Sequence, residues 1–82
     1  MSTGAWDRPV TYETTKVGLY RTITTTADAA HVLLTDWPIK EGEALARARE
    51  TCLAVLEGRK PADAARKAFL AAAKEAGVFI RP

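Results

Sequence analysis

Thr22-Ile23-Thr24-Thr25-Thr26-Ala27-Asp28-Ala29-Ala30-His31-Val32-Leu33-Leu34-Thr35-Asp36-Trp37-Pro38 decides the fold, because the period of the sequence changes inside it. Up to Thr24 the residues alternate as a strand does: Leu19, Arg21 and Ile23 take one side, Tyr20, Thr22 and Thr24 the other. From residue 26 the apolar spacing becomes three and four. Ala30, Leu33, Leu34 and Trp37 share one face of a helix predicted over about 27–36. Thr25-Thr26-Ala27-Asp28 supplies a threonine N-cap and an acid for the first turn. Pro38 stops the helix, since the residue ahead of a proline disfavours helical backbone angles.

Upstream, Trp6, Val10 and Tyr12 share one parity and Asp7, Thr11 and Glu13 the other, which predicts a strand at about 7–14. Seven of the ten threonines lie in residues 5–26, where β-branched side chains suit a pleated surface. The short Thr15-Lys16-Val17-Gly18 connection predicts an antiparallel hairpin. Downstream, a second helix is predicted over about 42–57, with Leu45, Ala48, Cys52, Val55 and Leu56 as its apolar stripe and Gly58 as a left-handed terminator. A third opens with Pro61 at its first position and Asp63 in the first turn. Its stripe is Ala65, Ala68, Phe69, Ala72 and Ala76, and Gly77 ends it. Val78-Phe79-Ile80 is expected to add a last strand to the hairpin. The expected class is α+β in the order β-β-α-α-α-β: a three-stranded antiparallel sheet with three helices packed on one face.

The 82 residues, 8.9 kDa, hold a single domain, 1–82, with residues 1–5 expected as a loose tail. An apolar share of 48% and a balance of 12 basic to 10 acidic residues exclude disorder by composition. Sixteen of the apolar residues are alanine, almost all beyond residue 26. No run approaches the ~18 apolar residues of a membrane span, and no signal-like segment opens the chain. With one cysteine and no disulfide, a cytoplasmic location is expected. One cysteine and one histidine fall short of a structural zinc set, and neither metal nor cofactor is expected.

An ordered set of short motifs follows the first helix: Trp37-Pro38, Gly42, Cys52-Leu53 through Leu56 to Gly58, Ala65-Arg66 ahead of Phe69, and Ala76-Gly77. The set resembles the bacterial family known as domain of unknown function 982, small and mostly alphaproteobacterial proteins. The likeness runs from about Pro9 to Ile80. It implies no activity, cofactor or catalytic residue.

Cys52 sits mid-helix among Ala48, Val55 and Leu56, where a buried small hydrophobe is expected rather than an activated thiol. His31 has Asp28 three residues before it but no nucleophile at a recognisable spacing, and reads as a polar residue at the edge of its stripe. Trp37 extends the first helical stripe and is expected to close one end of the core. Trp6 is the tryptophan placed as a partner contact, and Tyr20, Thr22 and Thr24 are expected to form an uncovered sheet face. Charge is uneven: residues 47–74 carry seven basic side chains against three acidic. Arg59, Lys60 and Arg66 at the start of the third helix are candidate anion contacts. Asp63 competes there, and no aromatic residue is interleaved as single-strand binding would want.

The sequence thus points away from an enzyme and toward a protein–protein interaction or regulatory module, with an unknown partner or a second copy of itself as a homodimer. The alternative is binding of an anion or nucleic-acid backbone at Arg59, Lys60 and Arg66. No membrane partner is expected.

Overall fold

The structure, a computed structural model, describes residues 4–81. Strands β1 (Ala5–Glu13) and β2 (Tyr20–Thr25) lead into helices α1 (Thr26–Thr35), α2 (Glu43–Leu56) and α3 (Ala62–Ala76), and the chain returns as β3 (Ile80–Arg81). This is the predicted α+β order, and the sheet is antiparallel throughout. β3 pairs with β1 rather than β2, so the sheet runs β2-β1-β3 and the first strand is central. Val10 lies opposite Ile23, Tyr12 opposite both Arg21 and Ile80, and Thr11 opposite both Thr22 and Arg81. Between Ala5 and Val10 the register slips. That irregular stretch holds Pro9, which has no N–H to give to a ladder.

Thr25 is the N-cap of α1, its hydroxyl accepting the Asp28 amide at 3.1 Å, as the sequence predicts. Pro61 is a correction: with ψ 154° it is the extended residue before α3, not its first helical one. Of the tail expected at 1–5, residues 1–3 lie outside the described residues. Gly4 and Ala5 are not loose. The Gly4 carbonyl accepts both the Thr26 amide (2.8 Å) and the Thr26 hydroxyl (3.0 Å), and Ala5 pairs with Thr25. At φ +90°, with Thr26 only 3.1 Å from where a Cβ would sit, Gly4 has to be glycine.

α1 packs on β2 and α3 on β1, while α2 lies against α1 and α3 as an outer layer. The core between them holds Val10, Tyr12 and Ile23 from the sheet, Val32 and Leu33 from α1, Leu45 and Val55 from α2, and Phe69 from α3. The alanines set the spacing: Ala48, Ala65, Ala72 and Ala73 are fully buried where α2 meets α3 and α3 meets the sheet. Two stripe residues are corrections. Leu34 is 67% and Leu56 42% exposed, because both helices are buried against two neighbours at once and the inward arc turns past them. In α2 that arc takes in Thr51 and Ala54 instead. In α3 the inward arc likewise takes in Ala73 beside the stripe residue Ala72.

The N-terminus of α2 is capped from a distance. Its own N-cap, Gly42, has no side chain to give. The carboxylate of Glu75, in the last turn of α3, accepts the Ala44 amide at 2.9 Å and the Leu45 amide at 3.1 Å. A negative charge there satisfies two free amides and suits the helix dipole. A Cβ at Gly42 would run into that carboxylate. Glu75→Ala is expected to lower the unfolding free energy by about 1 kcal/mol, the usual worth of a cap. Gly42→Ala should also destabilise, but less in the Glu75→Ala background, where the obstructing group is gone. A double-mutant cycle in urea measures that coupling.

Candidate functional site

The sheet presents its free face on the side away from the helices. Thr11 and Thr22, opposite each other, join hydroxyls across it at 3.0 Å. Glu13 lies opposite Tyr20 and gives its amide to the Phe79 carbonyl at 3.0 Å, so it is flanked on both sides by aromatic residues. The Tyr20 and Phe79 rings meet edge to face with centroids 6.2 Å apart, 48% and 53% exposed. The Glu13 carboxylate turns along the strand to accept the Gly18 amide at 2.9 Å and shape the hairpin loop. Tyr20, Thr22 and Thr24 are therefore on one exposed face, as expected. Phe79 completes it and was missed. The signal was the alternation of Phe79 against Val78 and Ile80, which sets it on the outward side of a strand.

The β2 edge of this sheet is free. In an antiparallel ladder, hydrogen-bonded and non-bonded pairs alternate. The Thr14 amide bonds the Leu19 carbonyl at 2.8 Å. Counting from that pair, Arg21 and Ile23 turn their backbone groups toward β1, and Tyr20, Thr22 and Thr24 turn theirs outward. Tyr20, Thr22 and Thr24 are all exposed.

Trp6 is a correction. It is only 9% exposed, stacks edge to face on Phe69 at 5.9 Å, and donates its indole N–H to the Thr26 hydroxyl at 3.0 Å. A side chain so enclosed offers nothing to a partner; its parity with Val10 and Tyr12 places it inside. Trp37 does pack into the core end, 5.3 Å from Phe69 and 6.2 Å from Tyr12.

The cationic candidates are not brought together. Arg59 holds Glu57 at 2.6 Å and, with Lys60, borders a shallow hollow beside Arg47 and Thr51. Arg66 donates to the Arg8 carbonyl at 3.0 Å and lines a different hollow, with Arg8, Asp7 and Asp63. Asp63 pairs with Lys67 and Glu43 with Arg47 along their own helices, both exposed. His31 is exposed on α1. Among the described residues no three His, Cys, Asp or Glu side chains gather as a metal site, and no helix is long and apolar enough to cross a membrane.

Residues 8–80 match the family model described as Protein of unknown function (DUF982). The chain belongs to the DUF982 family. No curated protein and no solved structure matched it. The structure explains several of the family-like residues as packing elements: Gly42 yields to Glu75, Trp37 and Phe69 share one aromatic cluster, and Cys52 is fully buried.

Two titrations follow from this geometry. Burial pushes the Cys52 thiol up to about 11, so a thiol reagent at pH 8 should label it only after denaturant is added. Burial, and then the hydrogen bond to Asp36 at 2.9 Å, raise the Tyr12 phenol from 10.0 to about 12. A raised pKa favours the neutral phenol in the folded state. Its stabilisation is present below pH 10, the ordinary value, and is lost as the pH rises through about 12. Absorbance at 295 nm (the phenolate band) should show one tyrosine of the folded protein ionising near pH 12, a phase that Tyr12→Phe removes.

Proposed function

We propose that this DUF982 protein is a non-catalytic, cytoplasmic interaction module that takes an extended segment of a partner protein along the edge of β2. The observation that carries the reading is the outward-turned backbone of Tyr20, Thr22 and Thr24 on an exposed edge strand. Protein sheets ordinarily guard such edges with proline, lysine or a very short strand. β2 has six residues, no proline and no lysine, with Arg21 its single charge. Strand addition draws its affinity from main-chain hydrogen bonds and its selectivity from side chains on alternate positions. Tyr20, on β2 itself, turns an exposed aromatic side chain to the same-face neighbour of an incoming strand, and Phe79 backs that ring from across β1. The lone buried cysteine suits a reducing compartment.

The test is a display selection with random extended peptides, followed by amide chemical-shift mapping. Binding is expected to move the Tyr20, Thr22 and Thr24 amides. Thr22→Pro removes an N–H that points away from β1, so it should weaken the selected peptides by about tenfold or more while leaving the melting temperature within a few degrees. Peptide binding indifferent to Thr22→Pro would overturn the reading. Salt-sensitive retention of an oligonucleotide, lost in Arg59→Gln with Lys60→Gln, would instead support the anion-binding alternative.

A further inference from the structure

The single charge of β2, Arg21, stands at the free edge without an ionic partner among the described residues. It lies opposite the buried Tyr12, on the side of the sheet that the helices cover, yet it is exposed. α1 ends at Thr35, and past that end Thr14, Thr15, Lys16, Leu19, Arg21 and Asp36 line an open hollow. Asp36 is the one carboxylate there, and both its oxygens are engaged. They accept the hydroxyls of Tyr12 at 2.9 Å and of Thr15 at 2.8 Å. Arg47, Arg59 and Lys67 each hold an acid at an ion-pair distance, but Arg21 and Lys16 hold none among the described residues. The hollow thus sets two cations against one carboxylate that is already satisfied.

We propose that the segment taken up by β2 runs antiparallel to it and carries an acidic side chain directly opposite Arg21. The inference rests on the strand-addition reading and names what the edge selects. The argument is charge complementarity at a fixed place in the ladder. Arg21 turns its backbone groups toward β1, so an antiparallel newcomer meets it as a non-hydrogen-bonded pair. In such pairs the Cα atoms are about 4.5 Å apart, and the side chains are closer than in bonded pairs. Opposite charges so placed stabilise the pairing and like charges weaken it. A parallel newcomer has no such close pair, because its bonds are evenly spaced and slanted. The antiparallel register also sets the newcomer's next residue against Tyr20 and the one after against Leu19. Tyr20 and Leu19 are 48% and 50% exposed, so an apolar side chain on either gains cover. The recognised pattern is an acidic residue followed by two apolar ones, which point to opposite faces of the sheet.

The test is to pan one random-peptide library in parallel against the full chain, Arg21→Gln and Arg21→Glu. Arg21 is exposed and its guanidinium donates no hydrogen bond among the described residues, so Arg21→Gln should keep its circular dichroism spectrum and melting temperature. Peptides recovered by the unaltered chain should share an aspartate or glutamate, with apolar residues at the next two positions. Replacing that acid by alanine in a synthetic peptide should weaken binding about three- to fivefold for the unaltered chain, and less than about 1.5-fold for Arg21→Gln. Arg21→Glu should recover lysine or arginine at the same position. Salt at about 1 M, where charges are screened within about 3 Å, should level the difference. Peptides that Thr22→Pro weakens but that share no acid overturn this proposal and leave the strand-addition reading standing. So does an acid whose contribution is unchanged in Arg21→Gln. If Thr22→Pro weakens none of the recovered peptides, both fall.

Discussion

Phe69 receives three aromatic rings, and the rest of the structure is arranged around that meeting. Trp6 and Tyr12 reach it edge-on from β1 at 5.9 and 6.0 Å, and Trp37 from the α1–α2 connection at 5.3 Å. Such pairs add about 0.5–1.5 kcal/mol each beyond the area they bury. In a chain whose helices are filled with alanine, this one cluster supplies much of the large apolar volume. It also determines the topology. α3 must lie across the central strand to bring Phe69 between Trp6 and Tyr12, and the chain leaving α3 is then beside the free edge of β1, where β3 pairs.

Polar links tie the periphery to this centre at three places. Thr26 joins Gly4 and Trp6 to the first turn of α1. Asp36 accepts hydroxyls from Tyr12 and Thr15, pinning the end of α1 to the sheet and to the hairpin loop. Glu75 carries the end of α3 to the start of α2. Each joins groups 20 or more residues apart in sequence, and the Glu75 link stands in for the side-chain cap that Gly42 lacks. The consequence is a body held along its middle, with α2 outermost on one side and β2 along one edge. The β2 edge and the exposed leucines of α1 and α2 are the parts that this bracing leaves uncovered.

The helices and the hairpin were legible in the sequence because their signals are local. The change of period at residue 26, the Thr25 cap, Pro38 and the glycines at 58 and 77 each act within a turn or two of where they stand. The open face was half legible for the same reason: Tyr20, Thr22 and Thr24 share a parity whatever they face. What periodicity could not tell was which arc of a helix is buried. α1 and α2 each touch more than one element, so the inward arc is wider than a single stripe and is rotated from it. Leu34 and Leu56 moved outside it, while Thr51 and Ala54 moved in. Trp6 shares the parity of Val10 and Tyr12, but parity alone does not say which face is covered; its burial depends on Phe69 and Thr26, 63 and 20 residues away. The cationic trio dissolved because Arg66 leans back to the Arg8 carbonyl, 58 residues away, and a run of charges along a helix says nothing about such a contact.

The sequence by itself determined the elements, their order, the caps that are made locally and the class of the fold, since all of these depend on backbone preferences and on periodicity over a few residues. Only the tertiary structure decided that β1 is central, that Glu75 caps a helix begun more than thirty residues earlier, and that an edge strand and a leucine face remain uncovered. Those outcomes depend on where α3 settles when Phe69 finds its three rings, a packing choice among residues distant in the chain that no local pattern encodes.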